Sequence, residues 1–138
     1  MALDPQLLAL FAEIRGGMLI TIERDGRPQS SVVTHAFDPA TRTLRVSVTD
    51  DHAKIRNLRL TYQLTRTGLS AYAVGEATAV FTPVVADPQD ATVDALVALY
   101  RDVQGEHPDR EEFRTAMVDD GRVLLTATFD HVYGWARP

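Results

Sequence analysis

Met18-Leu19-Ile20-Thr21-Ile22-Glu23-Arg24-Asp25-Gly26-Arg27-Pro28-Gln29-Ser30-Ser31-Val32-Val33-Thr34-His35-Ala36-Phe37 holds two extended runs around an Asp-Gly pair. Met18 to Glu23 is a short apolar run and reads as a strand. Asp-Gly is a strong hairpin signal. The return strand is expected from about Pro28 to Phe37, so the first two strands are antiparallel neighbours. Asp38-Pro39 marks the next turn, and Leu44 to Thr49 is a third strand. Further strands are expected near Thr61–Thr65 and Leu69–Pro83, broken at Thr67-Gly68, and a long final one over Arg122 to Trp135.

Helical signals lie between these strands. Asp4-Pro5 is an N-cap followed by proline at the first helical position, and Leu7, Leu8, Phe11 and Ile14 follow helical spacing until Gly16-Gly17. Asp50 or Asp51 can cap a short helix carrying His52, Lys54, Arg56, Asn57 and Arg59. Asp87-Pro88 opens a longer helix with Val93, Leu96, Val97 and Tyr100 on one face, ended by Gly105-Glu106-His107-Pro108. A second short helix is expected over about Asp109–Val118. Six or so strands in sequential antiparallel order, with helices inserted, predict a small mainly-β barrel. No βαβ rhythm appears, and no G-x-G-x-x-G follows the first strand, which disfavours a dinucleotide-binding α/β fold.

With 138 residues the chain is expected to form one domain over 1–138. A net charge of −5 argues against a general nucleic-acid binder, which needs a basic surface to neutralise phosphates. The absence of cysteine excludes disulfides, thiolate catalysis and cysteine-based zinc or iron–sulfur sites. The start of the chain has no basic, then apolar, leader pattern and no run of membrane-spanning length, so the expected location is the cytoplasm. No two histidines sit four apart around a carboxylate, and no metal site is expected. No Ser-His-Asp set or paired-carboxylate spacing supports a hydrolase.

The most informative chemistry lies in Ser47-Val48-Thr49-Asp50-Asp51-His52-Ala53-Lys54-Ile55-Arg56-Asn57-Leu58-Arg59. A strand ends in hydroxyls and a short helix begins among basic groups, where exposed backbone N–H groups favour an anion. Lys54 and Asn57 are three apart and share a helical face, so Ser47, His52, Lys54 and Asn57 can converge on one phosphate. The plainer reading is a solvated basic helix whose cations pair with some of the 19 acids, and spacing alone favours it. The strand around Pro28-Gln29-Ser30-Ser31-Val32-Val33 is polar on both faces. It can line the edge of a planar ring, or simply be a sheet edge facing water. Tyr133 and Trp135 alternate onto one side of the last strand, either packing the barrel or meeting a partner subunit. His35 is a weak candidate for a proton donor, and no catalytic residue is assigned.

Taken in order, these segments resemble the flavin/deazaflavin oxidoreductases, the FMN-binding split β-barrels also called pyridoxamine 5'-phosphate oxidase-like. The resemblance runs along nearly the whole chain. Its most specific motif is Ala53-Lys54-x-Arg56-Asn57-Leu58-Arg59. Asp25-Gly26-Arg27-Pro28-Gln29 with Ser31 and Val33, then Phe37-Asp38-Pro39 and Val46-Ser47, are similar to the family's early strands. Ala95-Leu96-x-Ala98-Leu99-Tyr100-Arg101, Gly105-Glu106-His107, and Arg122-Val123-Leu124-Leu125 through His131-Val132-Tyr133-Gly134 resemble the actinobacterial branch that uses coenzyme F420.

The resemblance implies a homodimer with two cofactor sites at the subunit interface, a small-molecule substrate, and no nucleic-acid or membrane partner. It implies that Ser47, Ala53, Lys54 and Asn57 meet the cofactor phosphate and ribityl chain, with His52 where a relative presents Arg. It places Pro28, Gln29, Ser31 and Val33 along the ring. The implied activity is hydride transfer from reduced F420 to a conjugated small organic acceptor. The alternatives are an FMN enzyme of the pyridoxamine 5'-phosphate oxidase type and a non-catalytic flavin, F420 or tetrapyrrole binder. After Arg59 the family continues with Asp-Pro, a strand and an Asp-Asp-Gly turn, whereas Leu60-Thr61-Tyr62-Gln63-Leu64-Thr65-Arg66-Thr67-Gly68 is shorter here.

Overall fold

In a computed structural model, residues 3–49 and 58–137 are described. Helix α1 (Pro5–Glu13) leads into β1 (Gly16–Ile22), β2 (Pro28–Thr34), β3 (Ala36–Asp38) and β4 (Thr43–Thr49). Then follow β5 (Arg59–Thr65), a 3-10 turn at Thr67–Leu69, and β6 (Ala71–Phe81). Two helices, α2 (Ala91–Gln104) and α3 (Arg110–Asp119), precede the last strand, β7 (Arg122–Ala136). All pairings are antiparallel, in the order β2-β1-β5-β6-β7-β4-β3.

The two edges of that sheet are halves of one chain segment. β2 and β3 are separated only by His35, so the strand expected over 28–37 is present but bends there and changes neighbours. Its first half pairs with β1 and its second with β4, which joins the edges and curls the sheet into a barrel. The closure is incomplete. Among the described residues β2 has a ladder on one edge only, and β4 beyond Arg45 is paired only with β7.

Side-chain size decides what fills the barrel. α1 closes one end with Leu7, Leu8, Leu10 and Phe11, its first turn capped by the Asp4 carboxylate, which accepts from the Gln6 N–H at 2.9 Å. The Phe11 ring lies 4.8 Å from Phe129 and 5.4 Å from Phe37, centre to centre. The inner face of β6 is therefore small: Ala71, Ala73, Gly75, Ala77 and Ala79. A Cβ on Gly75 would lie 2.5 Å from the Phe129 ring, so the glycine is a space requirement. A second apolar cluster lies outside the barrel, where Leu96 and Leu99 of α2 and Phe113 of α3 pack on Leu124 of β7.

A bulge sets the direction of the last strand. Glu76 faces His131 and Ala77 faces Phe129, leaving Asp130 extra. Before it, Val123, Leu125, Ala127 and Phe129 point inward; after it, Val132 and Ala136 pack against the core. Tyr133 and Trp135 consequently point out, each 48% exposed, so they do not pack the barrel interior. Asp130 is held by a two-pronged ion pair with Arg59, Nη2 to Oδ1 at 2.9 Å and Nη1 to Oδ2. Arg59 thus opens β5 and Leu58 before it is not helical; residues 50–57 of the expected basic helix over 50–59 lie outside the described residues. No described helix is long and apolar enough to cross a membrane.

Candidate functional site

The bend at His35 is fixed by a buried polar pair inside the barrel, His35 and Tyr62. His35 is 1% exposed, and both ring nitrogens are engaged: Nδ1 lies 2.5 Å from the Tyr62 hydroxyl and Nε2 lies 2.8 Å from the Phe11 carbonyl. A carbonyl only accepts, so Nε2 carries the proton; burial disfavours the charged ring, and in the neutral imidazole Nδ1 accepts from the Tyr62 O–H. Burial pushes its pKa below the ordinary histidine value, opposed in part by the Phe11 and Ile14 carbonyls. Burial likewise pushes the Tyr62 phenol up, so it stays a donor. A proton-donor role for His35 finds no support here: the ring clamps α1 and β5 to the bend.

N-terminal to this clamp the barrel is split. The ladder pairing Ala36 with Arg45, continued by two residues, sets Thr34 opposite Ser47, and these two side chains border the same cavity. The β2 edge and the far end of β4 are therefore the two lips of the split. Ser47, at the head of the basic segment singled out in the sequence, thus lies across the opening from the polar strand over 28–34. Ser47 lies on the outward face of β4, between the buried Val46 and Val48. His52, Ala53, Lys54 and Asn57 lie outside the described residues.

The alternation of β2 sorts the other expected residues. Ser31 and Val33 are half-buried on one face and Val33 packs against the core, while Gln29 of the same face is exposed near the turn. Pro28 is on the opposite face with Ser30, Val32 and Thr34. One strand thus cannot offer all four side chains to a single ring. The backbone offers a different set. The His35 N–H donates to the Arg15 carbonyl and the Glu23 N–H to the Arg27 carbonyl, so odd-numbered residues of this strand exchange their bonds with β1. The N–H and C=O groups of Ser30, Val32 and Thr34, and the Pro28 carbonyl, point to the split. An alternating row of donors and acceptors in one plane suits the polar edge of a planar heterocycle. Periodicity in the sequence could have given this parity once the ladder partner was known.

Beyond Ser47 the split opens onto a cavity of about 270 Å³ between the barrel and the helices. Leu96, Leu99, Phe113 and Met117 wall one side. On the other is Arg122, whose Nη1 donates to the Ser47 carbonyl at 3.4 Å and whose Nε is 3.8 Å from an Asp120 carboxylate oxygen. The sequence reading missed Thr34 and Arg122. Arg122 follows a turn glycine at the head of an apolar strand, which reads as an ordinary surface charge until the helices are folded over it.

No family model matches the sequence. Among solved structures, the chain is similar over 99% of its length to 86% of a conserved hypothetical protein, Rv2991, from Mycobacterium tuberculosis, with 16% identity and a TM-score of 0.68. A protein related to general stress protein 26, of the pyridoxinephosphate oxidase family, from Clostridium acetobutylicum is matched over 98% of this chain and 92% of its own, with 14% identity and a TM-score of 0.65. An F420 reductase is matched over 91% of this chain and 94% of its own, with 19% identity and a TM-score of 0.59. The class is thereby defined: the chain has the split β-barrel fold of the pyridoxamine 5'-phosphate oxidase-like and deazaflavin-reductase structures. Identities this low establish the fold.

Proposed function

We propose that this protein is an F420H2-dependent oxidoreductase that transfers a hydride from reduced deazaflavin to a conjugated small organic acceptor. The observation that carries the reading is the split itself. A planar row of backbone donors and acceptors on β2 faces the Ser47 lip of β4, which continues into the segment bearing Lys54 and Asn57. These groups fit a cofactor with a flat polar ring at one end and a phosphate at the other. The likeness in fold to an F420 reductase supports the same reading.

In this account the Ser30, Val32 and Thr34 backbone orients the ring edge, while Ser47, His52, Ala53, Lys54 and Asn57 hold the ribityl and phosphate groups. Lys54 supplies the compact positive charge a phosphate needs. The bound deazaflavin supplies the hydride chemistry, and the chain supplies position and electrostatics.

We further propose that the working unit is a cytoplasmic homodimer. On the outer sheet face a row runs Val32–Met18–Gln63–Val74–Tyr133 across five strands, flanked by Tyr72 opposite Trp135. Val32 is 81% exposed in the single chain. Val32, Met18, Tyr133, Tyr72 and Trp135 give this face an apolar and aromatic character, interrupted by Gln63, that suits a second copy.

A fluorescence titration with F420 and, separately, FMN at physiological salt tests the cofactor. Micromolar or tighter F420 binding with weak FMN binding is expected. Preference for FMN would move the protein to the second reading, an FMN enzyme of the oxidase type, which the likeness to pyridoxinephosphate oxidase structures favours. Binding of neither would remove both. Sedimentation of the native chain is expected to give a dimer, and of a Tyr133→Asp variant a monomer.

A further inference from the structure

The cavity under the helices contains features that the cofactor proposal does not use. We infer that it is a second ligand site, for a compact apolar carboxylate whose tail lies between α2 and α3 and whose carboxylate meets Arg122. At about 270 Å³ it is too small for a tricyclic cofactor with its phosphate tail, and it suits a single ring or a short aliphatic chain. Its wall is mostly carbon, from Leu96, Leu99, Val103, Phe113 and Met117, with Tyr100 and Gln104 beside them.

Arg122 is incompletely satisfied. Its Nε is buried and has no hydrogen-bond partner among the described residues. Its ion pair with the half-exposed Asp120 is long, at 3.8 Å, and its bond to the Ser47 carbonyl is at the outer limit, 3.4 Å. A guanidinium presents five N–H donors in a fork that matches a carboxylate, and donors left unmet beside apolar surface are costly. The other cations near this layer are committed: Arg114 to Asp94 at 2.9 Å and to the Pro88 carbonyl, and Arg101 to Glu106 at 2.6 Å. Charge and apolar wall thus meet in one place. Thr34 and Ser47 supply hydroxyls at the mouth, where the cavity adjoins the split.

The test uses the full chain without cofactor, so it stands or falls apart from the F420 proposal. 3-Phenylpropionate and its neutral counterpart 3-phenylpropan-1-ol are titrated while the Met117 methyl and Leu99 methyl NMR signals are followed. The acid is expected to bind saturably and about tenfold more tightly than the alcohol, the value of one charge-assisted contact. Arg122→Met is expected to erase that difference while retaining weak binding of both. Met117→Trp, which fills the wall without touching the charge, is expected to abolish both. No saturable shift in the native chain, equal affinity for acid and alcohol, or unchanged binding in Met117→Trp would overturn the proposal.

Discussion

One extended segment lives in two environments. At His35 it is clamped from both sides, its imidazole bonded to Tyr62 and Phe11 and its backbone to Arg15. A few residues earlier, from Ser30 to Thr34, the same strand keeps a ladder to β1 on one edge and turns the other to the split. The first region closes the barrel and carries stability. Among the described residues the second has no ladder partner on its free edge, where the backbone of Ser30, Val32 and Thr34 is left for a ligand, which is what a binding site requires. Substitutions should therefore separate: those at the clamp should cost stability, and those at the lips should cost binding.

The largest effect is expected from Phe11→Ala, which empties the centre of the Phe11–Phe37–Phe129 cluster. Urea denaturation should show a loss of about 3–5 kcal/mol; a loss below about 1 kcal/mol would mean that α1 does not plug the barrel. Lys54→Ala should weaken F420 binding by about 1.5–3 kcal/mol, read by fluorescence titration, with an unchanged denaturation midpoint. Unchanged affinity with an intact fold would take Lys54 out of the site. Tyr62→Phe removes the donor to His35 Nδ1 and leaves a buried acceptor unmet, a cost of about 1–3 kcal/mol that denaturation would measure.

The pH dependence of stability is the finest of these tests. The fold holds His35 neutral, with its pKa below the ordinary 6.5, whereas the unfolded chain takes up a proton near that value. Its contribution is therefore complete above about 6.5 and is lost as pH falls from there through the lowered folded value, at no more than about 1.4 kcal/mol per pH unit for one proton. His35→Gln should remove that slope. A native chain whose stability is flat between pH 6.5 and 5 would show that His35 takes up its proton in the folded state as readily as in the unfolded one.

Most of the architecture was legible because local signals agreed with it. Asp25-Gly26 fixed the first hairpin, Asp4 and Pro5 the first helix, and small residues from Ala71 to Ala79 marked the inner wall. Three features were not read. The bend at His35 depends on tertiary partners far along the chain, Phe11 and Tyr62. The bulge at Asp130 reverses which of the final residues face out; the adjacent polar pair Asp130-His131, breaking the alternation after Phe129, is its trace in the sequence. Arg59 carries helix-compatible spacing, yet pairing with Asp130 and β6 holds it in a strand. Of the candidate site, the sequence singled out two segments, and the position of Thr34 opposite Ser47 was not read. Alternation along β2 puts Ser31 and Val33 on one face and Pro28 on the other, and turns the backbone of Ser30, Val32 and Thr34 to the split.

The most direct test of the account is an amide chemical-shift map of the chain with and without F420. The largest changes are predicted at the N–H groups of Ser30, Val32 and Thr34, at Ser47, and across residues 52–57, with Gln29 and Val33 shifting less. Changes confined to the helical layer around Leu99 and Met117, or a map indifferent to F420, would contradict the claim that the split of the barrel is the cofactor site.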